Sequence, residues 1–170
     1  HEPRLTSDSL IDSQYALRVL RAGQAWSVAT GKGILVGVLD TGIDWTHPDL
    51  ADNVWVNARE DRNGNGRFDA WPSTIEIEGV FGDLDGVDND GNGWADDVIG
   101  FDFVDQEVGN IGDYRGRDAV PVDEHGHGTS VSGVIAARAA NTIGIAGLAH
   151  EAKIVTLRAF DATGNAEEDD

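Results

Sequence analysis

Asp40 and His127 are the residues whose types and surroundings could do chemistry. Asp40 ends a continuous apolar run, Ile34-Leu35-Val36-Gly37-Val38-Leu39, and is followed by Thr41-Gly42. Such a run predicts a strand buried on both faces of a parallel sheet, and open α/β sheets place their sites at the carboxyl ends of strands. His127 stands between Gly126 and Gly128, where the small and apolar stretch from Gly128 to Ala140 predicts a closely packed helix. An acid followed by a histidine, both at element ends, is the order in which a carboxylate orients a general base. Taken singly, Asp40 reads equally well as a turn residue and His127 as a surface side chain. Two neighbouring histidines in Glu124-His125-Gly126-His127 also open a metal reading, which would need His47 as a further ligand.

A second chemistry is written in oxygen. Asp88, Asp90 and Asn92 alternate, Gly93 follows at the sixth position, and Asp96 and Asp97 stand at the ninth and tenth. Hard Ca²⁺ takes about six to eight oxygen ligands, and this spacing bends a loop so that alternate side chains converge. Asp61, Asn63, Asn65, Gly66 and Asp69 repeat the scheme with one charge fewer. Neither loop has the bidentate glutamate at position twelve, where Ile99 and Pro72 stand, so these are calcium-type loops outside an EF-hand. The competing reading is a solvated acidic surface.

The elements that must position these residues follow from pattern. Tyr15 to Val28 predicts a short helix or two turns interrupted at Gly23, and Lys153 to Phe160 a second buried strand. Strand, helix and strand in that order predict an α/β fold with a right-handed crossover. Residues 55–105 predict an acidic, loop-rich insertion, because Asn-Gly and Asp-Gly pairs punctuate it throughout. Glu167-Glu168-Asp169-Asp170 reads as the acidic first turn of a helix.

Composition narrows the function. The 170 residues hold 31 Asp and Glu against 12 Lys and Arg, a net charge of −19, with no Cys. Between Glu60 and Asp105 stand 13 acids and two basic residues, Arg62 and Arg67, a net of −11. More than half the charge is therefore local. Nucleic acid and anionic membrane are excluded as partners by repulsion, and cations are favoured. No apolar run approaches the roughly 20 residues of a membrane span, so the sequence predicts a soluble chain. Thiolate metal sites and disulfides are excluded outright. His1 at the first position, with no signal-like segment after it, points to a processed form.

The segments around the pair then carry a resemblance. Val38-Leu39-Asp40-Thr41-Gly42-Ile43-Asp44, continuing to His47-Pro48-Asp49-Leu50, resembles the acid motif of the subtilisin-like serine proteases. His125 to Ala137 (His-Gly-His-Gly-Thr-Ser-Val-Ser-Gly-Val-Ile-Ala-Ala) resembles their histidine motif, and Asn141 to Ala149 the turn after it. Asp8 to Tyr15 and Gln24-Ala25-Trp26 are similar to the start of the family's mature catalytic domain. The resemblance implies a parallel sheet with helices on both faces, a three-layer fold incomplete in this chain, of which residues 1–170 form the N-terminal part of one catalytic domain. It implies a secreted, calcium-stabilised serine endopeptidase with polypeptide substrates, Asp40 as triad acid and His127 as general base.

The same resemblance implies parts that this sequence does not contain. The family's serine lies downstream in a Gly-Thr-Ser motif, and no such motif follows residue 160. Gly128-Thr129-Ser130 has the letters but belongs to the histidine motif. The serine and the oxyanion asparagine are therefore expected from a downstream half of the domain. Asp8, Asp49 and Asn141, with carbonyls near Ile143 and Ile145, match a calcium site of the family, for one to three ions in all. The alternative is a non-catalytic calcium-binding or adhesion module, or a degenerate protease, on the same scaffold. The insertion is expected to rim the substrate cleft and to favour basic peptides.

Overall fold

The computed structural model describes residues 5–105, 113 and 116–166. Strand β1 (Leu35–Asp40) pairs in parallel with β5 (Lys153–Arg158), which pairs in parallel with β4 (Gly100–Asp102). The sheet order is β1-β5-β4, with a separate two-stranded hairpin of β2 (Glu76–Ile77) and β3 (Val80–Phe81). Helix α3 (His127–Ala136) comes between β4 and β5 in the chain. A parallel α/β sheet is what the strand-helix-strand pattern predicts. The acidic end, residues 167–170, lies outside the described residues.

Alternation along the strands decides where the core sits. Val38 and Ile154, with Val36 beside them, face Ala136, Val131 and Ile135 of α3 in one apolar cluster. On the opposite face, Leu35 and Leu39 are 52% and 60% exposed. The expectation that the apolar run is buried on both faces is thus corrected: among the described residues, no second layer covers that side.

Three other boundaries differ from the sequence reading, each for a local reason. The N-terminal helices are α1 (Tyr15–Val19) and α2 (Ala22–Trp26), separated at Arg21 in the left-handed region (φ 55°) rather than at Gly23. Gly23 lies inside α2, where a Cβ would stand 2.9 Å from Leu5 Cδ2. Helix α3 ends at Ala136, not Ala140, because the amides beyond it are taken elsewhere. Arg138 N–H donates to the Asp49 carbonyl, and those of Ala140 and Asn141 donate to the Asp8 carboxylate. Residues 55–105 are loop-rich, yet they also build the main domain. Phe68, Val98 and Ile99 are buried in the sheet's own core, and β4 is a strand of the sheet. Among the described residues, no helix is long and apolar enough to cross a membrane.

Candidate active site

The carboxyl end of β1 and the start of α3 meet in a seam. Gly128 makes the meeting possible: a Cβ on it would lie 2.2 Å from the Gly42 carbonyl oxygen and 3.2 Å from Asp40 Cβ. At that contact His127 Nδ1 stands 2.7 Å and 2.9 Å from the two carboxylate oxygens of Asp40. The Asp40 side chain is 14% exposed and the imidazole 60% exposed, so the acid is sheltered while the base reaches solvent. Thr41 N–H donates to Asp40 Oδ1 at 2.7 Å and fixes the carboxylate from behind. The structure therefore brings together the two residues on which the sequence reading rested.

A hollow of about 240 Å³ opens over the pair, lined by Asp40, Thr41, His125, His127, Phe160, Thr163 and Gly164. None of its lining residues comes from the insertion, so among the described residues the expected acidic rim is not found there. Ser130 lines a different hollow together with His47, and its hydroxyl donates to the Gly126 carbonyl at 2.7 Å. It is a back-bonded helix residue and does not face His127. Among the described residues, no group of three metal-ligating side chains includes His47, His125 or His127, which leaves the histidine-metal reading without its third ligand.

Asp123 is the residue at this seam that sequence reasoning missed. Its Oδ1 accepts from the Thr41 hydroxyl (2.8 Å), His125 N–H (3.1 Å) and Gly126 N–H (2.7 Å). Its Oδ2 accepts from the Thr129 amide (2.8 Å) and hydroxyl (2.5 Å). Burial works to raise its pKa, but the Thr129 hydroxyl and amide, the Gly126 amide and the Thr41 hydroxyl outweigh it and hold the carboxyl at about 2. A second buried acid behaves oppositely. Asp102 in β4 is pushed up to about 7 by burial, although Arg158 donates to it at 2.5 Å. Arg158 faces Asp40 across the β1–β5 register and also donates to Glu124 at 3.0 Å, just before the histidine motif.

The oxygen-rich residues fall into three places. Around the Asp88 loop, Asp88 accepts from the amides of Gly91, Asn92 and Gly93, while Asn92 Nδ2 donates to Asp97 at 2.8 Å. Asn57 bridges Asp90 and Asp97 at 2.9 Å and 3.0 Å. Ligand oxygens of Glu60, Asp88 and Asp90 lie within 4.8 Å of one another. Glu60 is a buried acid that the spacing argument did not include. Asp96 is turned away from this group, its carboxylate accepting from the amides of Asp85 and Gly86.

In the Asp61 loop, Asp61 accepts from the amides of Gly64 and Gly66, and Asn63 and Asn65 both donate to Asp69 Oδ2. Buried Asp83 braces that loop through the amides of Asn63 and Asp69. The third place joins Asp8, Asp49 and Asn141. Asn141 N–H donates to Asp8, its Nδ2 donates to Asp49 at 2.7 Å, and Ile145 N–H donates to Asp49 at 3.0 Å. Each place offers only hard oxygen donors, a set that fits Ca²⁺.

Comparison with known proteins gives the family. The sequence profile described as the Subtilase family matches residues 31–170. The chain is 34% identical over 158 residues to Subtilisin-like protease 1 of Plasmodium vivax, covering 91% of this chain and 20% of that protein. Thermitase of Thermoactinomyces vulgaris is 29% identical over 152 residues, covering 89% of this chain and 35% of the relative. The Extracellular protease of Xanthomonas campestris is 29% identical, covering 99% and 25% respectively. Among solved structures, a protease from Pseudoalteromonas arctica superposes with a TM-score of 0.63 at 25% identity, covering 95% of this chain and 40% of that one. The chain thus spans between a fifth and about a third of the length of these curated relatives.

Proposed function

The chain belongs to the subtilase family, and from that premise we propose that it supplies the acid and base of an Asp-His-Ser triad in a secreted, calcium-stabilised serine endopeptidase. The observation that carries this reading is the contact of His127 Nδ1 with both oxygens of Asp40 in a sheltered seam beneath an open hollow. With its Nδ1–H given to Asp40, the neutral imidazole keeps its lone pair on Nε2. That nitrogen takes the proton of a serine hydroxyl as the oxygen attacks the scissile carbonyl, and returns it to the leaving amine. Asp40 holds the tautomer and stabilises the imidazolium formed between the two steps. Polypeptides are the substrates of such chemistry.

The serine and its oxyanion partner belong, in this reading, to the downstream half of the domain, part of which would cover the open face of the sheet. The exposure of Leu35 and Leu39 supports such a cover, because exposed apolar side chains on a sheet face mark a surface that another element packs against. Calcium would be held by Asp88, Asp90, Asn92 and Asp97 with Glu60, by Asp61, Asn63, Asn65 and Asp69, and by Asp8, Asp49 and Asn141. Its role there is to cross-link loops that no disulfide can tie, since the chain has no cysteine. The name of the Xanthomonas relative supports secretion.

The test is labelling of the full-length protein with a serine-directed fluorophosphonate, in wild type and in His127→Ala. Labelling that depends on His127 is expected. A folded wild type that takes no label would remove the protease reading and leave a calcium-binding module on a protease scaffold.

A further inference from the structure

We propose that Asp123 is a positioning residue for the Asp40–His127 pair: one carboxylate orients two threonine hydroxyls so that each receives an amide from the opposite side of the seam. The inference rests on the triad reading and deepens it.

The two straps have the same construction. Thr41, next to Asp40, donates its hydroxyl proton to Asp123 Oδ1, and its oxygen accepts from Gly128 N–H at 2.9 Å, next to His127. Thr129, two residues after His127, donates its hydroxyl proton to Asp123 Oδ2, and its oxygen accepts from Asp44 N–H at 2.9 Å, on the acid side. A hydroxyl has one proton and two lone pairs. Once the proton is committed to Asp123, the lone pairs are the part left to meet an amide. An ionised carboxylate is acceptor-only, so it sets both rotors at once. Its pKa of about 2 keeps it ionised at neutral pH.

Capping of α3 accounts for only part of this arrangement. The amides of Gly126 and Thr129 would satisfy a cap, since the cap residue Gly126 carries no side chain of its own to do it. Thr129 takes the amide of Asp44, which lies in no helix. The Thr41 strap also meets the first-turn amide of Gly128, but it reaches Asp123 from 82 residues away, outside α3. It ties the residue whose amide holds Asp40 to the residue that follows His127.

The decisive substitution is Asp123→Asn in the full-length enzyme, with Thr129→Val as a second variant that removes one strap and leaves Asp123 in place. Asparagine accepts on one side only. Its amide group faces the other hydroxyl as a donor, so that hydroxyl loses the acceptor for its proton and is no longer held toward its amide. The expected result is a fall in kcat of about ten- to a hundredfold, with KM kept within about twofold. Thr129→Val should show part of the same loss. In ¹⁵N-histidine-labelled protein, the downfield proton shared by His127 Nδ1 and Asp40 should weaken or move. A variant with a lower Tm but wild-type kcat and an unchanged imidazole proton would overturn the positioning role and leave a plain cap. Fluorophosphonate labelling of the wild type keeps the two readings apart. An unlabelled wild type removes the protease reading, while the imidazole spectrum still decides what Asp123 does.

Discussion

In the seam, Asp123 takes hydrogen bonds from Thr41, 82 residues away in sequence, and from Thr129 in the helix it faces. In the insertion, Asp88 takes its bonds from Gly91, Asn92 and Gly93, all within five residues, and Asp61 does the same with Gly64 and Gly66. Long-range donors fix one part of the fold against another. Local donors close a loop on itself and leave its acids facing further acids, as Asp88 and Asp90 face Glu60. One region is held by the chain alone, whereas the other gathers negative charge that a cation would offset.

The largest way to break the contrast is chemical. Asp40→Asn keeps the size of the side chain but can hold the imidazole in the wrong tautomer, and kcat of the full-length enzyme should fall by about 10⁴-fold. Steady-state cleavage of a peptide substrate measures it. A loss smaller than tenfold would mean that the seam does not orient the base.

Next in size is a steric test of the same seam. Gly128→Ala would put a Cβ 2.2 Å from the Gly42 carbonyl and force the two motifs apart, at a cost of about 3 kcal/mol in urea denaturation. Gly91→Ala in the insertion meets no atom within 4 Å, and pays only for its positive φ of 77°, about 1 kcal/mol. Equal losses at the two positions would erase the distinction between a packed seam and an open loop.

Sequence showed the pair because Asp40 and His127 sit at element ends inside long motifs. The α/β order followed from two apolar runs and the small-residue helix between them. Asp123 was hidden for a physical reason: it is one of 31 acidic residues, and its partners are amides and hydroxyls of ordinary residues that only folding assembles. Glu60 and Asp83 were hidden likewise, lying outside the alternating loops they brace. Asp96 met the spacing rule, yet its positive φ of 59° accompanies a carboxylate turned to the Asp85 and Gly86 amides. Spacing within a loop fixes which side chains could converge; the backbone at each position decides which ones do. The strand Gly100–Asp102 was missed because three residues in an acidic, glycine-rich stretch carry no period of their own.

Chelation probes the insertion. Removing Ca²⁺ from a site held at a hundred times its Kd should cost about 2.7 kcal/mol and lower the Tm measurably. Asp88→Ala should shrink the response to chelator, because the Asp88 carboxylate lies within 4.8 Å of those of Glu60 and Asp90. An identical melting curve with and without chelator would remove calcium from the account and leave a solvated acidic surface.

The smallest effect separates the two buried acids by pH. Asp123 has a folded pKa lowered to about 2, so its contribution is fully present above the unfolded value near 4 and is lost as pH falls toward 2. For a carboxylate that is partly solvated this amounts to about 1 kcal/mol. Asp102 has the opposite sign. Its folded pKa is raised to about 7 by burial, so the native state binds the extra proton and stability declines as pH rises from about 4 toward 7. The windows barely overlap. Urea midpoints measured from pH 2 to 8 should therefore rise through the first window and fall through the second. Asp123→Asn should flatten the rise and leave the fall in place, whereas loss of the fall in that variant would mean that Asp123 and Asp102 titrate as one network through Glu124 and Arg158.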